Sequence, residues 1–474
     1  MRTSRFLAPS VAALLLSACA VGPNYTAPDL HLTQGFHDAP AAPVTQPLPL
    51  KTWWTSFGDP ELDRIVARVR GQNLQLAEAS ARVGQSRAAA KAAGAALLPT
   101  VSADGDASSV RQSLKTPIGE IGHGLPGFKR DYNLYEAGAA ASWEIDLFGG
   151  LRRQHEAARA EAVAATDQAE AIRVAVTAEA ADAYFAVRGL QARLDVARRQ
   201  EAVQQDLAAL LRRQVDEGVA PERDLNQAEA ALQHVRAGIP PLLTALEAEF
   251  NRLDVLMGAQ PGAWRAELQA PAAIPAPPAL ATADGPAALL RRRPDVLAAE
   301  QTLVAANARI GAALSDYYPK LTLAGLFAGQ SIDQNTLFAP AALQSQASAA
   351  IHWRLFDFGR VDAEVAAARG RNAEALAAYR LTVLRAVEEV ENAFTDLGQE
   401  KARASALDAE VSRLTAARGQ TEQAYEEGVT SLIEVRDVDR NLLAASDQLA
   451  EARTGEAKAA VEVFRSLGGG WSAE

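Results

Sequence analysis

The sequence predicts a mainly α-helical chain with a transmembrane β-barrel, built from two tandem repeats. Three observations predict it. Long alanine-rich stretches carry apolar residues at heptad spacing. Four short segments alternate apolar and polar residues over the length of a barrel strand. The motifs that bracket these segments recur about 210 residues further on. Aromatics are few, at 6%, and alanine is abundant, which suits long helices packed closely together.

The chain opens with Arg2 and Arg5, the apolar run Val11 to Leu16, and then Ser17-Ala18-Cys19. That order predicts a lipoprotein signal peptide over 1–18. Cys19, the only cysteine, then becomes an acylated N-terminus. A single acyl chain anchors weakly, so a second membrane element is expected. With no second cysteine the chain forms no internal disulfide. After removal of 1–18 the count is 45 basic against 58 acidic residues, and no basic patch dominates. Nucleic acid is therefore a poor partner. No run of 18 apolar residues follows the signal, which excludes a transmembrane helix.

Residues 19–60 read as a lipidated, proline-rich extended segment. The first repeat covers 61–257: a helix (61–96), two strands, a long helix (150–216), a turn at Gly218 and a return helix (221–257). A linker over 258–290 follows, with Pro271, Pro275, Pro277 and Pro278. The second repeat, 291–466, has the same order: helix 294–316, two strands, helix 361–427, a turn at Gly428 and helix 432–466. Gly468-Gly469-Gly470 lies in an expected flexible C-terminus, 467–474. Trp143-Glu144-Ile145-Asp146-Leu147-Phe148-Gly149 matches Trp353-Arg354-Leu355-Phe356-Asp357-Phe358-Gly359 at an offset of 210. Glu217-Gly218-Val219 matches Glu427-Gly428-Val429 at the same offset. Leu98-Pro99-Thr100 matches Tyr318-Pro319-Lys320 at 220.

The strands alternate with period two. Val101, Ala103, Gly105 and Ala107 share one face of the first. Tyr135, Ala137, Ala139, Ala141, Trp143 and Ile145 share one face of the second. Leu321, Leu323, Gly325 and Phe327 mark the third, and Ala347, Ala349, Ile351, Trp353 and Leu355 the fourth. Apolar-out and polar-in is the pattern of a membrane barrel with a wet interior. A soluble sheet with one buried face gives the same alternation. Trp143 and Trp353, at the strand ends, are placed for an aromatic girdle. Four strands cannot close a barrel, and an open edge is forbidden in lipid. Several copies must therefore pool their strands, and three copies would give twelve.

Ile172, Val176, Ala180, Ala183, Val187, Leu190, Leu194 and Ala197 follow heptad steps. Val383, Val390, Leu397, Ala404 and Val411 stand seven apart, and Leu442, Ala445, Leu449 and Ala452 continue the habit. Coiled-coil packing is expected. A helix of about 66 residues spans about 100 Å. One such hairpin has too little core to stand alone, so it packs beside others.

These features, with Val21-Gly22-Pro23-Asn24-Tyr25 after the cysteine and Arg292-Arg293-Pro294-Asp295-Val296 at a helix start, resemble the TolC-like outer-membrane factors. The resemblance is strongest to the lipoprotein subgroup of NodT type that serves resistance-nodulation-division efflux pumps, and it covers essentially the whole mature chain. It implies a homotrimer with a 12-stranded outer-membrane β-barrel on a 12-helix periplasmic α-barrel, ringed by an equatorial domain. It implies a lipid-anchored outer-membrane location. It also implies a periplasmic adaptor and an inner-membrane resistance-nodulation-division pump as partners. The family's gate pattern falls on Tyr425, Ile433, Asp437 and Arg440. Three copies of Asp437 would form a carboxylate ring, bridged by Arg440. An ordinary surface pair at i, i+3 is the simpler reading of Asp437 and Arg440. The turns Gly218-Val219 and Gly428-Val429 are expected to dock the adaptor. Gln227 stands where the first hairpin would need a match for Asp437, so that hairpin reads as structural.

The six histidines are scattered without metal-ligand spacing. The C-terminal glycines lack the lysine of a phosphate loop. No catalysis and no cofactor are expected, apart from the covalent lipid on Cys19. The expected function is a passive exit duct of a tripartite efflux pump. A protein-secretion duct, or a coiled-coil lipoprotein with no pore, are the other readings of the same pattern.

Overall fold

The computed structural model describes residues 20–33, 35–37, 50–280 and 285–471. Cys19 and the 1–18 signal lie outside them. The chain divides into two compact units. One comprises 20–28, 84–163 and 301–377; the other comprises 29–83, 164–300 and 378–471.

In chain order, a 3-10 turn at Leu50–Phe57 precedes α1 (Pro60–Gln72) and α2 (Leu74–Ala95). Then come β1 (Thr100–Arg111), the short α3 (Pro117–His123), β2 (Asp131–Ile145), α4 (Gly150–Asp216) and α5 (Glu222–Leu256). The second half holds α6 (Arg265–Leu268), α7 (Pro286–Arg292), α8 (Pro294–Ser315), β3 (Lys320–Ser331), β4 (Leu343–His352), α9 (Arg360–Glu426) and α10 (Leu432–Ser466). The expected long helices thus form almost residue for residue. α4 and α9 are both 67 residues long, and α5 and α10 both 35.

The expected 61–96 helix is in fact broken in two. Asn73 is extended (φ −64°, ψ 130°) and caps the end of α1 through its N–H to the Val69 carbonyl. Its Oδ1 accepts from Gln75 and Leu76 N–H at the start of α2, and its Nδ2 donates to the Leu256 carbonyl at 2.9 Å. That contact spans 183 residues, so local periodicity gave no sign of it. The linker, expected to be extended throughout, holds α6 and α7. Asp254 fixes its start by accepting from Gly262 N–H at 2.6 Å and Trp264 N–H at 3.0 Å.

In the first unit, the four strands form one antiparallel sheet in the order β1-β2-β3-β4. Rows across it separate the two faces. Ile145, Leu321 and Ile351 make one apolar row, and Trp143, Leu323 and Ala349 the next. On the opposite face, Thr100, Ser142, Ala324 and Ser348 form a row beside Ser102, Ala140, Leu326 and Gln346. Glu136 and Gln330 hydrogen-bond across that face at 2.9 Å. β4 stops at His352, short of the expected Leu355. Its only neighbour, β3, begins at Lys320 after Pro319, which has no N–H to give the ladder. Trp353 therefore sits just beyond the strand.

In the second unit, Trp53 stacks on Phe464 at 5.2 Å, and Phe57 packs on Phe185 at 4.9 Å. Around them the heptad positions Val176, Ala180, Ala183 and Val187 of α4 are buried. The C-terminal glycines, expected to be flexible, are buried here. Gly470 N–H donates to the Leu50 carbonyl at 2.7 Å, Arg70 donates to the Gly470 carbonyl, and Trp471 Nε1 donates to the Arg292 carbonyl at 2.8 Å. Gly468, at φ +76°, and Gly469 leave no room for a Cβ. The run serves close packing, which its composition alone does not reveal.

Candidate functional site

The α9–α10 hairpin carries the predicted gate. The α9 chain reverses at Gly428, whose φ of +74° favours glycine. Gly428 N–H bonds the Tyr425 carbonyl at 2.9 Å and Val429 N–H bonds the Ala424 carbonyl at 2.8 Å. Ser431 then caps α10 through its side chain to Glu434 N–H. The α4–α5 hairpin turns in the same way: Gly218, at φ +77°, bonds Val215, and Val219 bonds Gln214. There Pro221 caps α5 without a side-chain bond. Val219 and Val429 are both exposed at the tips.

In the first turn of α10, Ile433 is exposed. Asp437 and Arg440 form an i, i+3 ion pair, both largely exposed. Tyr425 is exposed on the facing helix, and its hydroxyl is not bonded to Asp437. The buried carboxylate of this hairpin is Asp439, which the sequence did not single out. It takes Arg418 Nε at 3.1 Å from α9 and Arg436 Nη1 at 3.2 Å from its own helix. Arg418 also bonds Glu422 at 2.6 Å. Further from the turn, Arg193 of α4 grips Asp447 of α10 in a two-pronged pair at 2.8 and 3.0 Å. This joins the two hairpins. An Asp beside an Arg on heptad helices has many possible partners, so only packing reveals which pair is buried.

The long helices are seated on a polar network in the same unit. Arg188 donates to the Tyr184 hydroxyl at 3.0 Å, the Gln191 amide at 2.9 Å and the Ala270 carbonyl at 2.7 Å. Tyr184 in turn donates to Asp59. Burial and that hydrogen bond hold the Tyr184 hydroxyl above its ordinary pKa. Two residues earlier on α4, burial pushes the Asp182 carboxyl up to about 6, against an opposing pull from Lys458. Asp182 Oδ1 has no hydrogen-bond partner.

In the first unit, the two tryptophans at the strand ends do the same thing. Trp143 Nε1 donates to the Leu97 carbonyl at 2.9 Å and Trp353 Nε1 to the Tyr317 carbonyl at 2.9 Å. Below the sheet, the segment that follows Cys19 is tied down. Val21 N–H bonds the Phe148 carbonyl at 3.0 Å. Buried Arg153 holds the Val21 carbonyl at 3.3 Å and the Asn24 amide oxygen at 2.8 Å. Asn307 adds a bond to the Pro23 carbonyl at 3.2 Å.

The outer membrane efflux protein family matches residues 65–259 and 286–469, most of the chain in two segments. The chain belongs to that family. The pyoverdine export outer membrane protein OpmQ of Pseudomonas putida is 30% identical over 92% of this chain and 92% of its own length. Nodulation protein T of Rhizobium leguminosarum bv. viciae is 29% identical over 98% of this chain and 94% of its own. The solved outer-membrane channel OprN superposes with a TM-score of 0.83 at 32% identity, covering 96% of this chain and 100% of that one. Membership makes this an outer-membrane protein of the channel-forming kind.

Within this efflux family member the structure brings Asp437 and Arg440 together and leaves Tyr425 and Ile433 free at the tip. Sequence reasoning missed Asp439 with Arg418, Arg193 with Asp447, and Arg153. Among the described residues, no three His, Cys, Asp or Glu side chains are grouped to hold a metal ion. None of their helices is long and apolar enough to cross a membrane.

Proposed function

We propose that this chain is the exit duct of a tripartite efflux pump, passively exporting small molecules across the outer membrane. The observation that carries the reading is the four-stranded sheet, apolar on one face and polar on the other, with both edges unpaired. Such a sheet is stable in lipid only when closed by further copies. Three copies give twelve strands for a barrel and, from the α4–α5 and α9–α10 hairpins, twelve helices for a tunnel. The two halves of the chain act as tandem repeats, each giving two strands and one hairpin. Acylation of Cys19 supplies the second membrane anchor, and Trp143 and Trp353 serve the girdle. A periplasmic adaptor docks on Gly218-Val219 and Gly428-Val429, and an inner-membrane resistance-nodulation-division pump supplies the energy.

The gate consists of Tyr425, Ile433, Asp437 and Arg440. Three Asp437 carboxylates around one axis repel each other unless the arginines bridge them. The duct opens when the adaptor parts the hairpins. The relatives are named for pyoverdine export and for nodulation, and small-molecule export is the reading common to the pump class. The test is conductance in planar bilayers. The purified protein should run as a heat-sensitive trimer and form small, mostly closed pores. Asp437→Ala or Arg440→Ala should raise the conductance several-fold. A protein with no pore activity would refute the duct, and unchanged closed pores in both variants would refute the gate.

A further inference from the structure

From Thr100 to Gly149 and from Leu321 to Trp353, the stretches that hold the strands and their outer connections, the chain has four basic residues. Arg111, Lys115, Lys129 and Arg130 all lie at the last residue of β1 or in the loop that leads to β2. The β3–β4 connection carries none. In a chain of net charge −11 this is a local reversal of sign, and the loop offers only Glu120 and Asp131 in return. Arg111 reaches Asp131 at 3.6 Å, and Arg130 gives its Nε to the Gln112 carbonyl at 3.0 Å. Among the described residues, no carboxylate pairs with the exposed Lys115 or Lys129.

The same loop displays apolar side chains. Thr116 caps α3 by accepting from Gly119 N–H, and Gln112 Nε2 holds the Thr116 hydroxyl at 2.8 Å. The packed face of α3 is glycine. A Cβ on Gly119 would strike the backbone of Ser113 and Leu114, and one on Gly122 would strike the Phe128 ring. With glycines on the inside, the isoleucines between them turn outward. Ile118 and Ile121 are each 71% exposed, and Leu125 beyond them is 59% exposed. A helix that buries glycine and displays isoleucine inverts the usual arrangement, and an exposed apolar patch of this kind marks a surface that meets a partner.

The apolar face of the sheet leads up to this loop. Side chains alternate along a strand, so Arg111 shares a face with Val101, Ala103 and Ala107, and its partner Asp131 shares one with Trp143. Asp131 and Trp143 lie twelve residues apart on β2. That is about 40 Å along the strand, or about 30 Å of height at the tilt of a membrane barrel, whose apolar band is about 25 Å tall. The Arg111–Asp131 rung therefore falls where hydrocarbon gives way to headgroups, with α3 just beyond it. The long helices attach at the opposite ends of the strands, so this end is the outer one. We propose that the β1–β2 loop is an interfacial anchor that seats Ile118, Ile121 and Leu125 in the outer leaflet and sets Lys115, Lys129 and Arg130 against its phosphate-bearing headgroups. The proposal rests on the shared-barrel reading and adds a lipid contact to it. Apolar side chains flanked by unpaired cations are what an anionic lipid surface retains.

The test uses the full chain in lipid nanodiscs of phosphatidylcholine, with and without phosphatidylglycerol, and one introduced cysteine carrying a fluorescent probe. A probe at Ile121→Cys should be quenched by nitroxide-bearing lipid chains and shielded from iodide, more strongly in the anionic discs. Lys115→Gln with Lys129→Gln should lower the ratio of shielded to exposed probe about fivefold per charge removed in anionic discs, and leave it unchanged in neutral ones. A probe at Ala103→Cys, on the apolar face, should be quenched by lipid in every disc. A probe at Phe338→Cys, in the β3–β4 connection, should show no dependence on lipid charge. An Ile121 probe open to iodide beside a lipid-quenched Ala103 probe overturns the anchor and leaves the shared barrel standing. So does a Phe338 probe with the same dependence on lipid charge. So does a rise in bilayer conductance for Ile118→Ala with Ile121→Ala, which marks a lid over the duct. An Ala103 probe that lipid never quenches overturns the barrel reading itself.

Discussion

A largely enclosed carboxylate with one oxygen left without a hydrogen-bond partner works against the fold that contains it. Asp182, pushed up to about 6 from 3.8 by burial, is that case in the second unit. Between those pH values the folded chain keeps a proton that the unfolded chain has released. Stability therefore falls as pH rises from about 4 to about 6, and stays at the lower level above that. The effect is on the order of 2–3 kcal/mol. Asp182→Asn should raise the melting temperature at pH 7.5 by several degrees and flatten the profile between pH 4 and 6. A wild-type melting temperature that rises over that range would contradict the assignment. Arg153 works in the opposite sense, since it bonds Glu156 together with backbone and amide oxygens of the segment after Cys19. Arg153→Ala should cost about 2–3 kcal/mol locally. It should show as faster hydrogen exchange at Val21, with the sheet amides unchanged.

At the scale of elements, the helical hairpins are governed by their turns. Gly218 and Gly428 are both held at positive φ by the same carbonyl pairings. Replacing either with Val should cost about 1–2 kcal/mol, because a Cβ is disfavoured there. If the proposed gate is right, the α9–α10 tip should lose more function than the α4–α5 tip; drug sensitivity of cells bearing each variant measures this. Below the tip, Asp439 is the buried carboxylate, held by two arginines, and Asp437 the exposed one, paired with Arg440 alone. Asp439→Ala leaves Arg436 without its carboxylate and Arg418 with Glu422 alone. It should therefore destabilise the hairpin, while Asp437→Ala should change conductance at constant stability. These opposite signatures separate a gate residue from a packing residue on the same helix, two positions apart.

For the molecule as a whole, β4 is shorter than β2 because β2 has a neighbour on each side and β4 has only one. Ile145, the last residue of β2, corresponds to Leu355. In the proposed shared barrel, a partner subunit pairing with β4 should lengthen the strand to Leu355. Amides of Trp353–Leu355 should then be protected from exchange in the trimer and open in a monomeric variant. Equal exchange in both states would contradict the extension. Both tryptophan anchors at the strand ends are already in place in the isolated chain, so assembly needs little rearrangement there.

The sequence by itself determined the periodic elements. The heptads of α4 and α9, the alternation of the strands and the glycine turns are local patterns, each readable within ten or so residues. They placed the long helices within a residue of their observed ends. Tertiary structure alone decided which polar groups are buried and where elements stop. Asn73 breaks a helix because Leu256 claims its amide, and the C-terminal glycines are fixed because Leu50 and Trp53 lie against them. Asp439 rather than Asp437 is enclosed because Arg418 reaches it from the facing helix. The physical reason is common to these cases. Periodicity fixes the direction a side chain takes from its own backbone, whereas burial and hydrogen bonding depend on residues far away in sequence that only packing brings near.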